Sequence, residues 1–113
     1  MSKRHLYSYL RTERRKWELT QAELGALLGI SADSVGSYER GTRTVPARVL
    51  IASEVLFGMR APELFPGFCG TAQDDLGRRA LAMHDHLEGK ADSVSAKKRQ
   101  LLGGIKDRLF DVP

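Results

Sequence analysis

The stretch LTQAELGALLGIS, residues 19–31, packs two helix starts and one helix stop into a single short run. Thr20 and Glu23 have the spacing of a capping box, in which each side chain satisfies the other residue's backbone N–H. Leu19 and Leu24 have the spacing of a hydrophobic staple across that start. Gly29 follows where a left-handed residue ends a helix. Ser31 then begins a second helix, and Ile30 and Val35 repeat the staple spacing. The pattern predicts a first helix of about eight residues, a tight turn and a second helix. Elements this short are stable only when packed against further helices, because isolated short helices are marginal in water.

The rest of the chain supplies such helices. Strand signals are weak, with few β-branched residues and no long two-residue alternation, so the chain reads as all-α. A helix over about His5 to Lys16 places Leu6, Leu10 and Trp17 in an apolar stripe, and Arg14 falls in the same stripe. A fourth helix from near Pro46 to Leu56 or Phe57 buries Val49, Leu50, Ala52 and Leu56. A short fifth around APELF adds Leu64 and Phe65. PGFCG, residues 66–70, reads as a boundary, since Pro and Gly break helices. The expected division is therefore a five-helix domain over 1–66, a linker at 67–70 and a helical segment over 71–113. In that segment Thr71 and Asp74 suggest a cap, and Leu76, Ala80, Met83 and Leu87 form a narrow seam of coiled-coil type. A last helix, Ser95 to Phe110, carries Leu101, Leu102, Ile105 and Leu109, with Gly103 and Gly104 weakening its middle.

Charge narrows the partner classes. The chain carries net charge +4 in 113 residues. Residues 1–20 hold six Lys or Arg against two acids, so the excess is N-terminal. A polyanionic partner fits that asymmetry. The single cysteine, Cys69, excludes an intrachain disulfide and suits a reducing compartment. No apolar run reaches the about 18 residues of a membrane span, and no signal-peptide core is evident, so a cytoplasmic protein is expected. No cofactor is expected either.

The stretch LTQAELGALLGISADSVGSYERGTRTVP, with Gln21, Leu24, Gly29, Ile30, Ser31, Val35, Tyr38, Glu39 and Gly41, resembles the phage repressor and Cro (XRE-family) type of helix-turn-helix regulator. The resemblance spans residues 6–66 and implies a five-helix domain that binds double-stranded DNA through its third helix; two C-terminal helices would follow. On that third helix Val35, Tyr38 and Glu39 share an inward face, so Glu39 requires a cation. Arg14, unpaired in its own buried stripe, is the expected partner. The outward side offers Ala32, Asp33, Gly36, Ser37 and Arg40. The resemblance puts Ala32, Asp33 and Ser37 at base-reading positions, where Asp33 can accept from cytosine N4 and Ala32 can touch a thymine methyl. Gly36 joins them as a place where the backbone can approach the groove wall. Gln21 at the start of helix 2 is expected to hold a phosphate with the free N–H groups there. Ser31, Arg40, Thr42, Arg43, Thr44 and Arg48 complete the expected phosphate set, with Lys3, Arg4, Arg11, Arg15 and Lys16 as background charge.

Few base contacts per domain imply a homodimer on two half-sites, with the seam at Leu76, Ala80, Met83 and Leu87 as the expected interface. The competing reading is an antitoxin-like or phage-encoded interaction module whose helices in 71–113 bind a partner protein. A purer version keeps the domain only as a scaffold. An enzyme is not expected. His84 and His86 point to different helix faces, and His84 with Glu88 makes only two ligands of a zinc site. Cys69 has no activating partner in sequence.

Overall fold

The computed structural model describes residues 6–110. Among them lie seven α-helices and no strand, the all-α class read from the sequence: α1 (Leu10–Lys16), α2 (Gln21–Leu28), α3 (Ala32–Arg40), α4 (Ala47–Phe57), α5 (Ala61–Leu64), α6 (Pro66–Leu87) and α7 (Ser93–Phe110). The chain forms two compact units, one ending at Thr71 and the other starting at Ala72.

Local sequence explains the helix ends of the first unit. Thr20 Oγ1 accepts from the Glu23 N–H at 3.0 Å, and Glu23 Oε1 accepts from the Thr20 N–H at 2.8 Å. Gly29 closes α2 with φ 75°, and Gly41 closes α3 with φ 72°, both in the left-handed region where a Cβ is strained. Ser31 Oγ caps α3 by accepting from the Ser34 N–H at 3.0 Å. α2 then packs on α3, α1 on α3, and α4 on α2 and α5. Leu10, Leu24, Val35, Val49, Leu64 and Phe65 meet in the core, and Phe68 and Cys69 from the first turn of α6 pack against them. Burial of this apolar surface holds together helices too short to persist alone.

Several boundaries differ from the sequence expectation, each for a tertiary reason. α1 begins at Leu10, five residues after His5, which lies outside the described residues. The segment before it is bonded elsewhere: Tyr9 N–H donates to Leu64 O at 2.8 Å, Gly67 N–H to Tyr7 O at 3.1 Å, and Ser8 Oγ to Tyr38 O at 3.2 Å. Trp17, placed in the buried stripe by spacing, follows the last turn of α1 and is 62% exposed, with the Lys16 ammonium over its ring. In α4 the buried positions are Val49 and Ser53, whereas Leu56 is 40% exposed. Residues 66–70 are not a break but the first residues of α6. Pro66 opens the helix, where no N–H is required of it, so it starts the element rather than ending one. Thr71 is consequently inside the helix, and its hydroxyl donates back to Gly67 O at 2.9 Å instead of capping.

In the second unit α7 starts at Ser93, two residues ahead of expectation, because Asp92 Oδ2 accepts from the Ser95 N–H at 2.9 Å. Those bonds to Ser95, helped by Lys90, hold the Asp92 carboxyl below its ordinary range. Arg99 Nη1 donates to Leu87 O at 2.5 Å and Lys90 O at 3.0 Å, closing the turn between α6 and α7. Gly103 and Gly104 remain helical.

Ser53 is the awkward element of the first core. It is 0% exposed and its Oγ has no hydrogen-bond partner among the described residues. A buried hydroxyl left unpaired forfeits its hydration, a penalty of about 1–3 kcal/mol. Ser53→Ala should therefore leave stability unchanged or raise it by about 1 kcal/mol, read as the midpoint of urea unfolding; a clear loss would show that the hydroxyl has a partner.

Candidate nucleic-acid interface

Three helices are tied by one polar network. Arg14 Nε donates to Glu39 Oε2 at 2.6 Å, and Arg14 Nη2 to Glu39 Oε1 at 3.2 Å. Its remaining terminal nitrogen, Nη1, donates to Leu19 O at 2.9 Å. Gln21 Nε2 donates to Glu39 Oε1 at 3.1 Å, so the first residue of α2 joins the same carboxylate. The Arg14 and Glu39 side chains are 10% and 3% exposed. The structure thus brings together the two residues that sequence spacing paired, and it adds Leu19 and Gln21 to them. Fork-to-fork geometry of this kind fixes angle as well as distance, which sets α3 against α1 and the start of α2.

Beyond this lock, one side of the first turn of α3 faces outward. Asp33 is exposed in its first turn, and Ala32 and Ser37 are half-buried. Gly36 departs from expectation: it is buried, not part of the outward surface. A Cβ at Gly36 would lie 2.9 Å from Arg40 Nη1 and 3.4 Å from Gln21 Nε2, so those two side chains cover it. It offers no backbone to a groove wall while they lie there.

The expected phosphate residues divide by what they already hold. Ser31 Oγ caps α3 and donates to Ser34 Oγ at 3.0 Å. Thr42 Oγ1 donates to Ser37 O at 3.3 Å, where α3 ends. Arg43 Nη2 donates to Ser34 Oγ at 2.7 Å, and its guanidinium lies 5.2 Å over the Tyr38 ring. Gln21 is engaged with Glu39 through its Nε2. Arg40, Thr44 and Arg48 are exposed. Arg11, assigned only background charge by sequence, lines a polar cleft of about 170 Å³ with Gln21, Gly36, Glu39 and Arg40. Its signal was its place one helical turn before Arg14. Gly25 has a role that local spacing does not reveal: a Cβ there would meet Ile30 O at 2.6 Å, so its smallness lets α2 approach the turn.

In the second unit the expected seam is divided. Ala80 and Leu87 are buried, while Leu76 and Met83 are 50% and 55% exposed. His84, Asp85 and Glu88 each bring one ligand atom to within 4.8 Å of the others, so the structure adds Asp85 to the pair read from sequence. Two of the three are exposed carboxylates at the end of α6 and in the turn after it, an ordinary solvated arrangement. The Cys69 thiol is pushed above its ordinary pKa by burial and, secondarily, by the Glu54 carboxylate, which suppresses the reactive thiolate. No helix among the described residues is long and apolar enough to cross a membrane.

A short helix, a left-handed glycine turn and a second helix with an outward polar face define the helix-turn-helix class. Comparison with known families agrees: the family described as a helix-turn-helix domain matches residues 6–64, more than half of the chain. The protein belongs to that family, and the domain marks it as a DNA-binding regulator. No curated protein and no solved structure matches the chain.

The ion pair yields a direct test. Removing one member of a buried pair strands the other charge, at about 3–5 kcal/mol. Arg14→Ala should lower the free energy of unfolding by about that amount. The double variant Arg14→Met/Glu39→Met should recover much of the loss, because no charge is then left buried. Equal instability of the single and double variants in denaturant titrations would show that apolar packing, not charge, joins the helices.

Proposed function

We propose that the protein is a repressor of the phage repressor and Cro type, which inserts α3 into the major groove of double-stranded DNA and acts as a dimer on an inverted repeat. The observation that carries this reading is the Arg14–Glu39–Gln21 network, which fixes α3 against α2 with Asp33 exposed at its outward N-terminal end. Ala32, Asp33 and Ser37 are the base readers in this proposal; Asp33 accepts from a cytosine amine. Gln21, Arg40, Arg43, Thr44 and Arg48 face phosphates, while Ser31 and Thr42 contribute through the helix ends they shape. A single good base contact is worth about 1–3 kcal/mol, so one domain discriminates weakly and two half-sites are required. The second copy docks through apolar side chains of α6 that remain exposed, Leu76 and Met83 among them.

Selection of bound sequences from random duplex DNA tests the whole reading. The expected product is an inverted repeat with half-site centres about 34 Å apart. Recovery of a single half-site would remove the dimer from the proposal, and the exposed apolar side chains of α6 would then suit a different protein partner. Affinity should fall with salt at a logarithmic slope of about −0.9 per phosphate contacted; a flat response would leave the domain as a scaffold.

Asp33→Ala supplies a finer measurement. It should relax preference at one base pair per half-site, with overall affinity unchanged or higher because an anion leaves the interface. A change confined to thermal stability would mark Asp33 as a helix-end acid only.

A further inference from the structure

The buried glycine in a helix proposed to read DNA calls for an explanation, since glycine weakens a helix interior by up to about 1 kcal/mol relative to Ala. Gly36 is helical and not in the left-handed region, so backbone conformation does not require it. What occupies the space above it is a side chain from the next turn. A Cβ at Gly36 would stand 2.9 Å from Arg40 Nη1 and 3.7 Å from Arg40 Cζ, closer to the nitrogen than a carbon can sit. The same Cβ would approach Gln21 Nε2 at 3.4 Å. The guanidinium of Arg40 therefore lies back across α3, beside the amide of the residue that opens α2.

The setting of that guanidinium gives it a use. Arg11, Gln21, Gly36, Glu39 and Arg40 surround one polar cleft. Its carboxylate, Glu39, already accepts from Arg14 and Gln21. Among the described residues the side chains of Arg11 and Arg40 thus carry the cleft's uncompensated charge, beside the first turn of α2. We propose that Gly36 is a positioning residue: its missing side chain seats the Arg40 guanidinium in this cleft, aimed with Arg11 and Gln21 at one phosphodiester of the DNA backbone. This rests on the DNA-binding reading above. A guanidinium that already rests beside Gln21 loses less rotamer freedom on binding than one spread over many rotamers in solvent. The role also reassigns Gly36, which reads no base and contributes through Arg40.

The atom that a new Cβ displaces is the far end of a flexible side chain, so Gly36→Ala moves Arg40 and leaves the helix backbone in place. Stability and binding should therefore change in opposite directions. In the full chain Gly36→Ala should melt a few degrees higher, from better helix propensity. Its affinity for a fluorescent random-sequence duplex of about two helical turns should fall several-fold, with the logarithmic salt slope less steep by about 0.9. Arg40→Ala should show the same loss of slope, and Gly36→Ala/Arg40→Ala should lose no more than either alone, because both remove one contact. Additive losses in the double variant would overturn the proposal, as would a Gly36→Ala protein with the wild-type slope. If the wild-type protein itself shows no salt-dependent binding to the duplex, the DNA-binding reading fails and this role fails with it. Wild-type binding with an unaltered Gly36→Ala variant removes this role alone.

Discussion

The Arg14–Glu39 pair is the constraint on which the geometry of the first unit turns. Apolar packing is non-directional and tolerates small rotations of one helix on another. A guanidinium that donates two bonds to one carboxylate and a third to a backbone carbonyl does not. The pair need not contribute much net stability, since desolvating two charges offsets most of their attraction. Its effect is on which arrangement of α1 and α3 is allowed. The Glu39 carboxylate also receives the Gln21 amide, so the start of α2 is placed by the same group.

That arrangement links the interior to the proposed recognition surface through α3. One side of the helix carries Val35, Tyr38 and Glu39 into the interior, and its outer end leaves Asp33 in solvent. Between these sides, Gly36 and Arg40 lie next to Gln21. The lock and the cleft of Arg11 and Arg40 therefore share two residues, Gln21 and Glu39. Arg43 is held differently, against Ser34 and the Tyr38 ring, so the cations flanking α3 differ in how firmly they are oriented. The second unit follows a looser logic. Several large apolar side chains of α6 and α7, Leu76, Leu81, Met83 and Leu101, are half or more exposed.

Much of the first unit is written locally. The capping box at Thr20, the cap at Ser31 and the left-handed glycines at 29 and 41 are satisfied by neighbours within a few residues, so spacing alone locates α2 and α3. The acid on the inward face of α3 and the cation in the stripe of α1 also carry their own signal, because a buried charge demands a partner. Local pattern misleads where distant backbone competes. Tyr7, Ser8 and Tyr9 fall inside the helix expected from the spacing of Leu6, Leu10 and Trp17, but their polar groups bond to Leu64, Gly67 and Tyr38. Pro66 looks like a stop and serves as a start, since a proline without an N–H is acceptable at a helix's first position.

By itself the sequence determined the all-α class, the short helix, turn and helix over residues 21–40, and the residue types available for an ion pair and for the proposed DNA-facing surface. These follow from periodicity and capping, which act over a few positions. Only the tertiary structure decided that Gln21 shares the carboxylate of Glu39, that Gly36 lies under Arg40, and that Arg11 belongs to the same cleft. It also decided that Ser53 rather than Leu56 is enclosed in α4, and that Ala80 and Leu87 are buried while Leu76 and Met83 are exposed. Such facts depend on the rotation of one helix against another, a quantity that no local spacing encodes.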